Sequence, residues 1–430
     1  MAMVIFTSAS TSKFFLLAAI LYFLYRVITN KNRKDEVLLG AAYIMGFEVL
    51  SRMTGGAFSY EFAKYAVIGF MGIGILYKGI HRGSWPFVLF ILCLAPGIFF
   101  SAMNLDYETN IGNAIGFNLS GPMCLAITAL YCYNRKMPEE RFKGILLAAL
   151  LPILSTTAYL YVFTPNIRDT LSGTASNFAA SGGYGPNQVA TILGLGILIL
   201  FVRLFTIKDR ITNGIDLALI AFVGYRAIVT FSRGGVITAI VCSIAFLAIY
   251  FIQARTRDRK FLLPKIIIIF GVMAATWLVT SISTLGLIDK RYSNQDAAGR
   301  IKEDISTGRQ ELIDSEIEAF MQNPITGVGI GKAKEFRLET TGRLSATHNE
   351  VSRTLSEHGL FGIFSLLILL FTPLFFRISN RTNYLIFACY IFWILTINHS
   401  AMRISASAFV YGLGLIVFVK NVKKTAVHRK

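Results

Sequence analysis

The chain has 430 residues, 54% of them hydrophobic and 15% charged, with a mean hydropathy of +0.58. Soluble proteins carry roughly a quarter charged residues, so a water-soluble globular fold is excluded and most of the surface must face lipid. Lys and Arg outnumber Asp and Glu by 42 to 24, a net charge of +18, but the cations fall in short clusters between apolar runs, which argues for membrane-protein loops and against nucleic acid as a partner.

A helix that crosses a bilayer needs roughly 20 mostly apolar residues. By that rule about twelve or thirteen stretches are expected to span. They lie near 13–28, 36–51, 62–80, 85–103, 112–133, 144–163, 188–206, 213–231, 234–252, 263–285, 351–376, 384–399 and 404–420. The predicted fold is therefore all-α, a polytopic membrane helix bundle. The first run has no cation before Lys13 and no small-residue cleavage pattern after it, so it reads as a retained helix rather than a signal peptide. Cys93, Cys124, Cys132, Cys242 and Cys389 all lie inside apolar runs without CxxC spacing, which predicts neither disulfides nor a metal site.

Alternate short loops hold nearly all the cations: Lys31, Arg33 and Lys34; Lys78 and Arg82; Arg135, Lys136, Arg141 and Lys143; Lys208 and Arg210; the cluster at 255–260; Arg377 and Arg381; and the tail at 423–430. Loops rich in Lys and Arg stay cytoplasmic. The chain is thus expected to be multi-pass with a cytoplasmic C-terminus, and the intervening loops face outward.

Two outward connections are long, and long ordered loops are usually functional. The first, 164–187, is rich in Gly, Ser and Asn, a composition suited to a loop packed on another surface. The second, 286–350, is long enough to hold helices. Its Thr307-Gly308-Arg309-Gln310 reads as a capping box opening an amphipathic helix through Leu312, Ile313, Ile317, Phe320 and Met321, stopped by Asn323-Pro324. The chain divides accordingly into N-terminal helices (1–163), a central region carrying both loops (164–376), and C-terminal helices with a basic tail (377–430). No internal repeat relates the two halves, which counts against transporter folds built from duplicated units.

Candidate chemistry centres on arginines without an obvious counter-charge. Arg233 lies in Phe231-Ser232-Arg233-Gly234-Gly235, a turn so short that it sits at the membrane surface. Its guanidinium suits a phosphate, with the glycines letting a ligand approach and the next helix N-terminus favouring an anion; the alternative is an interfacial arginine reaching to lipid headgroups. Arg226, two turns earlier and deeper, aims at the same ligand or pairs inside the bundle with Asp216 or Glu48. Arg309, second in its helix if Thr307 is the cap, is a cation at a helix end that prefers anions, so it calls for a ligand or an ion pair with Asp304.

His348, in Thr347-His348-Asn349 where the second loop re-enters the membrane, is a candidate base or proton donor; the alternative is an ordinary loop histidine. His358 and His399 belong to apolar helices and read as packing or hydrogen-bonding residues. The stretch Gly327-Val328-Gly329-Ile330-Gly331-Lys332 lacks the first glycine and the Ser/Thr of a nucleotide loop and reads as a tight backbone turn. No HExxH or paired His/Cys spacing occurs, so neither metal nor other cofactor is expected.

In order along the chain, Gly185-Pro186-Asn187, Ser232-Arg233-Gly234-Gly235, Gly308-Arg309, Asn323-Pro324-Ile325-Thr326-Gly327-Val328-Gly329 and Thr347-His348-Asn349 resemble the bacterial O-antigen ligase and polymerase family over roughly 165–375. The resemblance implies a metal-independent membrane glycosyltransferase of the GT-C type in the bacterial cytoplasmic membrane. Its donor would be an oligosaccharide linked through diphosphate to a polyprenyl lipid such as undecaprenol. Arg233 and Arg309 would hold the diphosphate, and His348 would activate the acceptor hydroxyl. Asn187 would correspond to the asparagine of the family's first outer loop, with Arg226 and Asn349 as further substrate-binding residues. The acceptor, lipid A core or another surface glycan, separates ligase from polymerase and is left open by these motifs. A transporter or flippase for a lipid-linked solute is the rival from another class.

Overall fold

The computed structural model describes residues 2–106, 108–253, 262–302, 308–342 and 347–419. It is an all-α bundle. A short helix α1 (Ala2–Thr7) precedes α2 (Ala9–Asn30), α3 (Glu36–Met53), α4 (Phe62–Lys78), α5 (Trp85–Asn104), α6 (Ile111–Cys132), α7 (Glu139–Phe163), α8 (Pro186–Thr206), α9 (Arg210–Val229), α10 (Arg233–Gln253) and α11 (Leu262–Ser283). Three helices follow in the second long connection: α12 (Leu287–Tyr292), α13 (Arg309–Gln322) and α14 (Lys332–Thr341). The chain returns through α15 (Glu350–Ser379), α16 (Ile386–His399) and α17 (Ser405–Gly414).

Every stretch expected to span holds a helix, and nine described helices are long and apolar enough to cross a membrane. The others fall short for visible reasons. Helix α3 carries Glu36, Glu48 and Arg52 within its 18 residues, α4 has 17 residues, α16 has 14 and α17 has 10. The expected run 404–420 is corrected: it is helical to Gly414 and ends as a strand, β2 (Val417–Val419), paired in parallel with β1 (Lys136–Pro138).

Small residues set the helix contacts, as in membrane bundles generally. A Cβ on Gly46 of α3 would lie 2.4 Å from the Ala149 carbonyl oxygen of α7, and one on Gly194 of α8 would lie 2.4 Å from the Gly235 carbonyl oxygen of α10. The expected single helix 351–376 is broken at Gly359, whose φ of 57° interrupts α15. Into this break the Asn323–Gly331 segment inserts: Leu360 N donates to Pro324 O (2.8 Å), Val328 N to Ser356 O (2.8 Å) and Gly329 N to Glu357 O (3.2 Å). The glycines of the nucleotide-loop look-alike take φ of 69°, 99° and 89° at Gly327, Gly329 and Gly331, which is the tight turn the sequence suggested.

The loops sort to two ends. Asp35 binds Lys78 (2.6 Å), Arg141 (3.2 Å) and Arg135 (3.9 Å), so three basic connections meet at one end, beside the β1–β2 pair. The connections 164–185, 230–232, 284–349 and 400–404 lie at the other ends of the same helices. There the first long loop packs on its neighbours as its composition suggested: Asn177 N donates to Thr230 O (2.9 Å) and Thr174 Oγ1 to Gln295 O (2.9 Å). The cation clusters at 255–260 and 423–430 lie outside the described residues.

Candidate active site

Three connections at that second end supply arginines to one cluster: 230–232 leads into Arg233, 284–349 holds Arg291 and Arg309, and 400–404 holds Arg403. Arg233 is the first residue of α10 and Arg309 the first of α13. Two helix N-termini therefore bring their partial positive charge and a guanidinium to one region, an arrangement that is unfavourable without an anion. Gly308, with φ 78°, is the cap of α13. The capping-box reading is corrected in this respect: Arg309 opens the helix instead of standing second, and Thr307 and Asp304 lie outside the described residues.

The turn before Arg233 is built tightly. Phe231 is fully buried with φ 57°, a conformation that a bulky residue holds only when its surroundings enforce it. Its carbonyl accepts from Arg291 Nε of α12 (3.1 Å), and Ser232 Oγ donates to Asn187 Oδ1 (2.8 Å). Asn187 is thereby joined to the arginine turn. Gly234 and Gly235 pack helices instead of admitting a ligand, which corrects the expectation for them. A Cβ on Gly234 would lie 2.5 Å from His399 Cδ2, and one on Gly235 would lie 2.2 Å from the Ala190 carbonyl carbon.

The charges felt at these residues show that they share one space. Burial lowers the Arg309 pKa, and Arg233 and Arg403 lower it further. Burial likewise lowers that of Arg291, with added repulsion from Arg233 and Arg309. All remain protonated, since arginine does not give up its proton in proteins. His348 is pushed down to about 4 by burial first, then by Arg403, Arg309, Arg337 and His399. It is neutral at pH 7, and its buried Nδ1 has no hydrogen-bond partner among the described residues. The backbone around it is fixed: Ala401 N donates to His348 O (3.1 Å), and Arg403 Nη2 donates to Thr347 O.

Arg403 is itself placed from the N-terminal third of the chain. Arg52 Nη1 donates to Arg403 O (3.0 Å) and Arg52 Nη2 pairs with Glu48 (2.5 Å). The other Glu48 oxygen accepts from Ser405 N (2.7 Å) and Oγ (2.6 Å).

The remaining sequence candidates have partners of their own. Arg226 is fully buried, donates to Thr164 O (2.7 Å) and lies over the Tyr161 ring at 4.1 Å. The carboxylates offered to it are taken, Asp216 by Arg203 (3.2 Å) and Glu48 by Arg52. The Asn349 side chain caps α15, its Oδ1 accepting from Val351 N (2.8 Å) and Ser352 N (3.2 Å), while its amide donates to Asn398 (3.2 Å). His399 has a partner at each ring nitrogen, Thr191 Oγ1 (3.1 Å) and Leu395 O (2.7 Å). His358 packs against Gly97, as expected of a histidine in an apolar helix.

Residues 217–367 match the family model described as O-Antigen ligase. This region belongs to the O-antigen ligase family. No curated protein matches the chain. The O-antigen ligase region runs from within α9 to the middle of α15 and so contains Arg226, Arg233, Arg291, Arg309 and His348, while Asn187 and Arg403 lie outside it. Sequence reasoning missed Arg291 and Arg403. Arg403 sits in a short turn between two apolar helices, the same signal that singled out Arg233; Arg291, in Leu287–Tyr292, has no distinguishing pattern around it.

Proposed function

We propose that this chain is a membrane glycosyltransferase of the ligase type. It transfers a glycan from a polyprenyl-diphosphate carrier to an acceptor hydroxyl at the outer face of the bacterial cytoplasmic membrane. The observation that carries this reading is the gathering of Arg233, Arg291, Arg309 and Arg403, with Arg233 acting on Arg291 and Arg309 and with Arg309 and Arg403 acting on a neutral histidine whose Nδ1 has no partner among the described residues. Mutually repelling guanidiniums at two helix N-termini are stabilised by one kind of ligand, a compact polyanion such as a diphosphate.

In the proposed step the acceptor oxygen bonds to the anomeric carbon as the bond from that carbon to the diphosphate oxygen breaks. The bonding electrons leave with the diphosphate, whose growing charge the arginines stabilise. The hydroxyl proton passes to His348 Nδ1. A free-enzyme pKa near 4 makes His348 a weak base. An anion seated among Arg309 and Arg403 offsets the repulsion that depresses it, so the histidine becomes more basic when donor is bound. Placing the site outside rests on the excess of Lys and Arg at the opposite end of the bundle.

The test is mass spectrometry of products formed by purified protein in lipid nanodiscs, given a polyprenyl-diphosphate oligosaccharide alone or with a lipid-linked acceptor glycan. A glycosidic product that forms only when acceptor is present supports the ligase reading. Longer lipid-linked glycans from donor alone would make the chain a polymerase using the same site. Uptake of labelled donor into proteoliposomes with no new glycosidic bond would make it a transporter and overturn the proposal.

A further inference from the structure

A cavity of about 810 Å³ borders the arginine cluster and shares Thr347 and Arg403 with it, but not Arg233, Arg291 or Arg309. Its walls come from the N-terminal half of α6, from α14 and from the first turns of α15. That volume falls in the range that encloses a small organic ligand. Arg403 Nη2 donates to Thr347 O, both residues line this space, and Thr347 adjoins His348 in the chain.

The chemistry of the two spaces differs. Several cations on the cavity wall have carboxylates: Arg353 bonds Glu350 and Glu357 (3.0 Å), and Arg337 bonds Glu316 (2.6 Å), while Arg403 and the exposed Lys334 also line it. Lys64 pairs with Glu61 and donates to Ser120 (3.0 Å) and Met402 O (3.2 Å). Towards the mouth the balance turns acidic. Asp106 and Glu335 share Lys332 (3.1 and 2.9 Å), and the exposed Glu108 adds a further negative charge. Asn110, Asn113 and Asn118 offer amide donors and acceptors, and Phe117 presents an apolar face. Mostly paired charges, amides and one aromatic ring suit a hydroxyl-rich ligand, and at the exposed part of the lining an acidic ligand would meet Asp106 and Glu108 against the single Lys334.

We propose that this cavity is the acceptor subsite, and that it admits the hydroxyl-bearing end of a neutral or amine-bearing glycan while rejecting an acidic one. The proposal rests on the transfer reading above. Donor diphosphate and acceptor glycan are thus held in adjoining spaces that share Arg403, and the acceptor oxygen reaches His348 past the Thr347–Arg403 wall.

The experiment uses the full chain in nanodiscs with a polyprenyl-diphosphate oligosaccharide and three alkyl glycosides, ending in a hexose, a 2-amino-2-deoxyhexose or a uronic acid. For the wild type we expect transfer to the first two and at least tenfold lower kcat/KM for the uronic acid. Asn113→Trp narrows the cavity at an exposed position of α6, away from the arginines, and is expected to raise acceptor KM about tenfold with donor KM unchanged. Glu108→Lys is expected to improve the uronic acid relative to the amine by about tenfold. An unchanged acceptor KM in Asn113→Trp together with an unchanged preference in Glu108→Lys, while the wild type transfers, would overturn the subsite. A rise in donor KM instead would give the cavity to the donor's own glycan and also overturn it. If the wild type transfers to no acceptor and donor binding is unaltered by Arg309→Ala, the transfer reading itself fails, separately from the subsite.

Discussion

Apart from Arg226, the buried and half-buried cations whose neighbours are described above fall into two sets that differ in those neighbours. In the scaffold, Arg52 has Glu48, Lys64 has Glu61, Arg337 has Glu316 and Arg353 has both Glu350 and Glu357. In the cluster at the end of the bundle, Arg233 and Arg403 act on Arg309, Arg233 and Arg309 outweigh Tyr292 at Arg291, and Arg403 feels Arg353 as well as Glu350. A cation with its carboxylate is part of the fold, since removing either partner leaves an uncompensated buried charge. A set of cations that repel each other is held in place by the fold at a cost, and a polyanionic ligand relieves that cost. Burial alone does not mark the site; the sign of the neighbouring charges does.

Breaking a scaffold pair should give the largest effect, and it should appear in stability. Arg52→Ala leaves Glu48 without its cation and removes the donor to Arg403 O. We expect a loss of about 3–5 kcal/mol, read as a lowered midpoint of thermal unfolding in detergent. Breaking the cluster should appear in activity instead. Arg309→Ala and Arg233→Ala are expected to lower transfer by about 10²–10³-fold, the range for removing one charge-stabilising donor, and for Arg309→Ala the unfolding midpoint is expected at or above the wild-type value because repulsion is relieved. A fall in stability for Arg309→Ala matching that of Arg52→Ala would erase the distinction between the two sets.

A smaller effect tests how the arginine turn is held. Gly235→Ala places a methyl against the Ala190 backbone; overpacking of this kind costs about 1–3 kcal/mol, and unfolding measurements should find it. The smallest effect is in pH dependence. His348 is deprotonated above about pH 4 in the free protein. The acid limb of kcat/KM for donor is therefore expected near pH 4, with little change between pH 5 and 8. The limb of kcat should lie at higher pH, because bound diphosphate offsets Arg309 and Arg403. A common limb near 6.5 in both profiles would mean that His348 does not feel the cluster.

Much of the bundle was legible in the chain because apolar runs report lipid burial directly, and all thirteen predicted positions carry helices. What was not legible depends on contacts between distant segments. The break at Gly359 exists because the Asn323–Gly331 segment threads into it, and hydropathy cannot register that. The helix before Gly414 ends early because the following residues pair with Lys136–Pro138, some 280 positions away. At the site, Arg233, Arg309 and His348 were visible as charges or a titratable group in the wrong place for lipid or helix. Arg403 had the same mark in its short turn, but its role depends on Arg52, more than 300 residues earlier in the chain. Arg226 had the mark too, yet its surroundings are Tyr161 and the Thr164 carbonyl, a cation settled among aromatic rings.

The most direct measurement is a calorimetric titration of the purified chain with a polyprenyl diphosphate in buffer containing a chelator, comparing wild type with Arg309→Ala and Arg52→Lys. If the cluster is a diphosphate site, the wild type binds without divalent metal, Arg309→Ala weakens binding at least tenfold while keeping its unfolding midpoint, and Arg52→Lys changes affinity much less. Equal affinity in wild type and Arg309→Ala, or binding that vanishes with the chelator, would contradict the account.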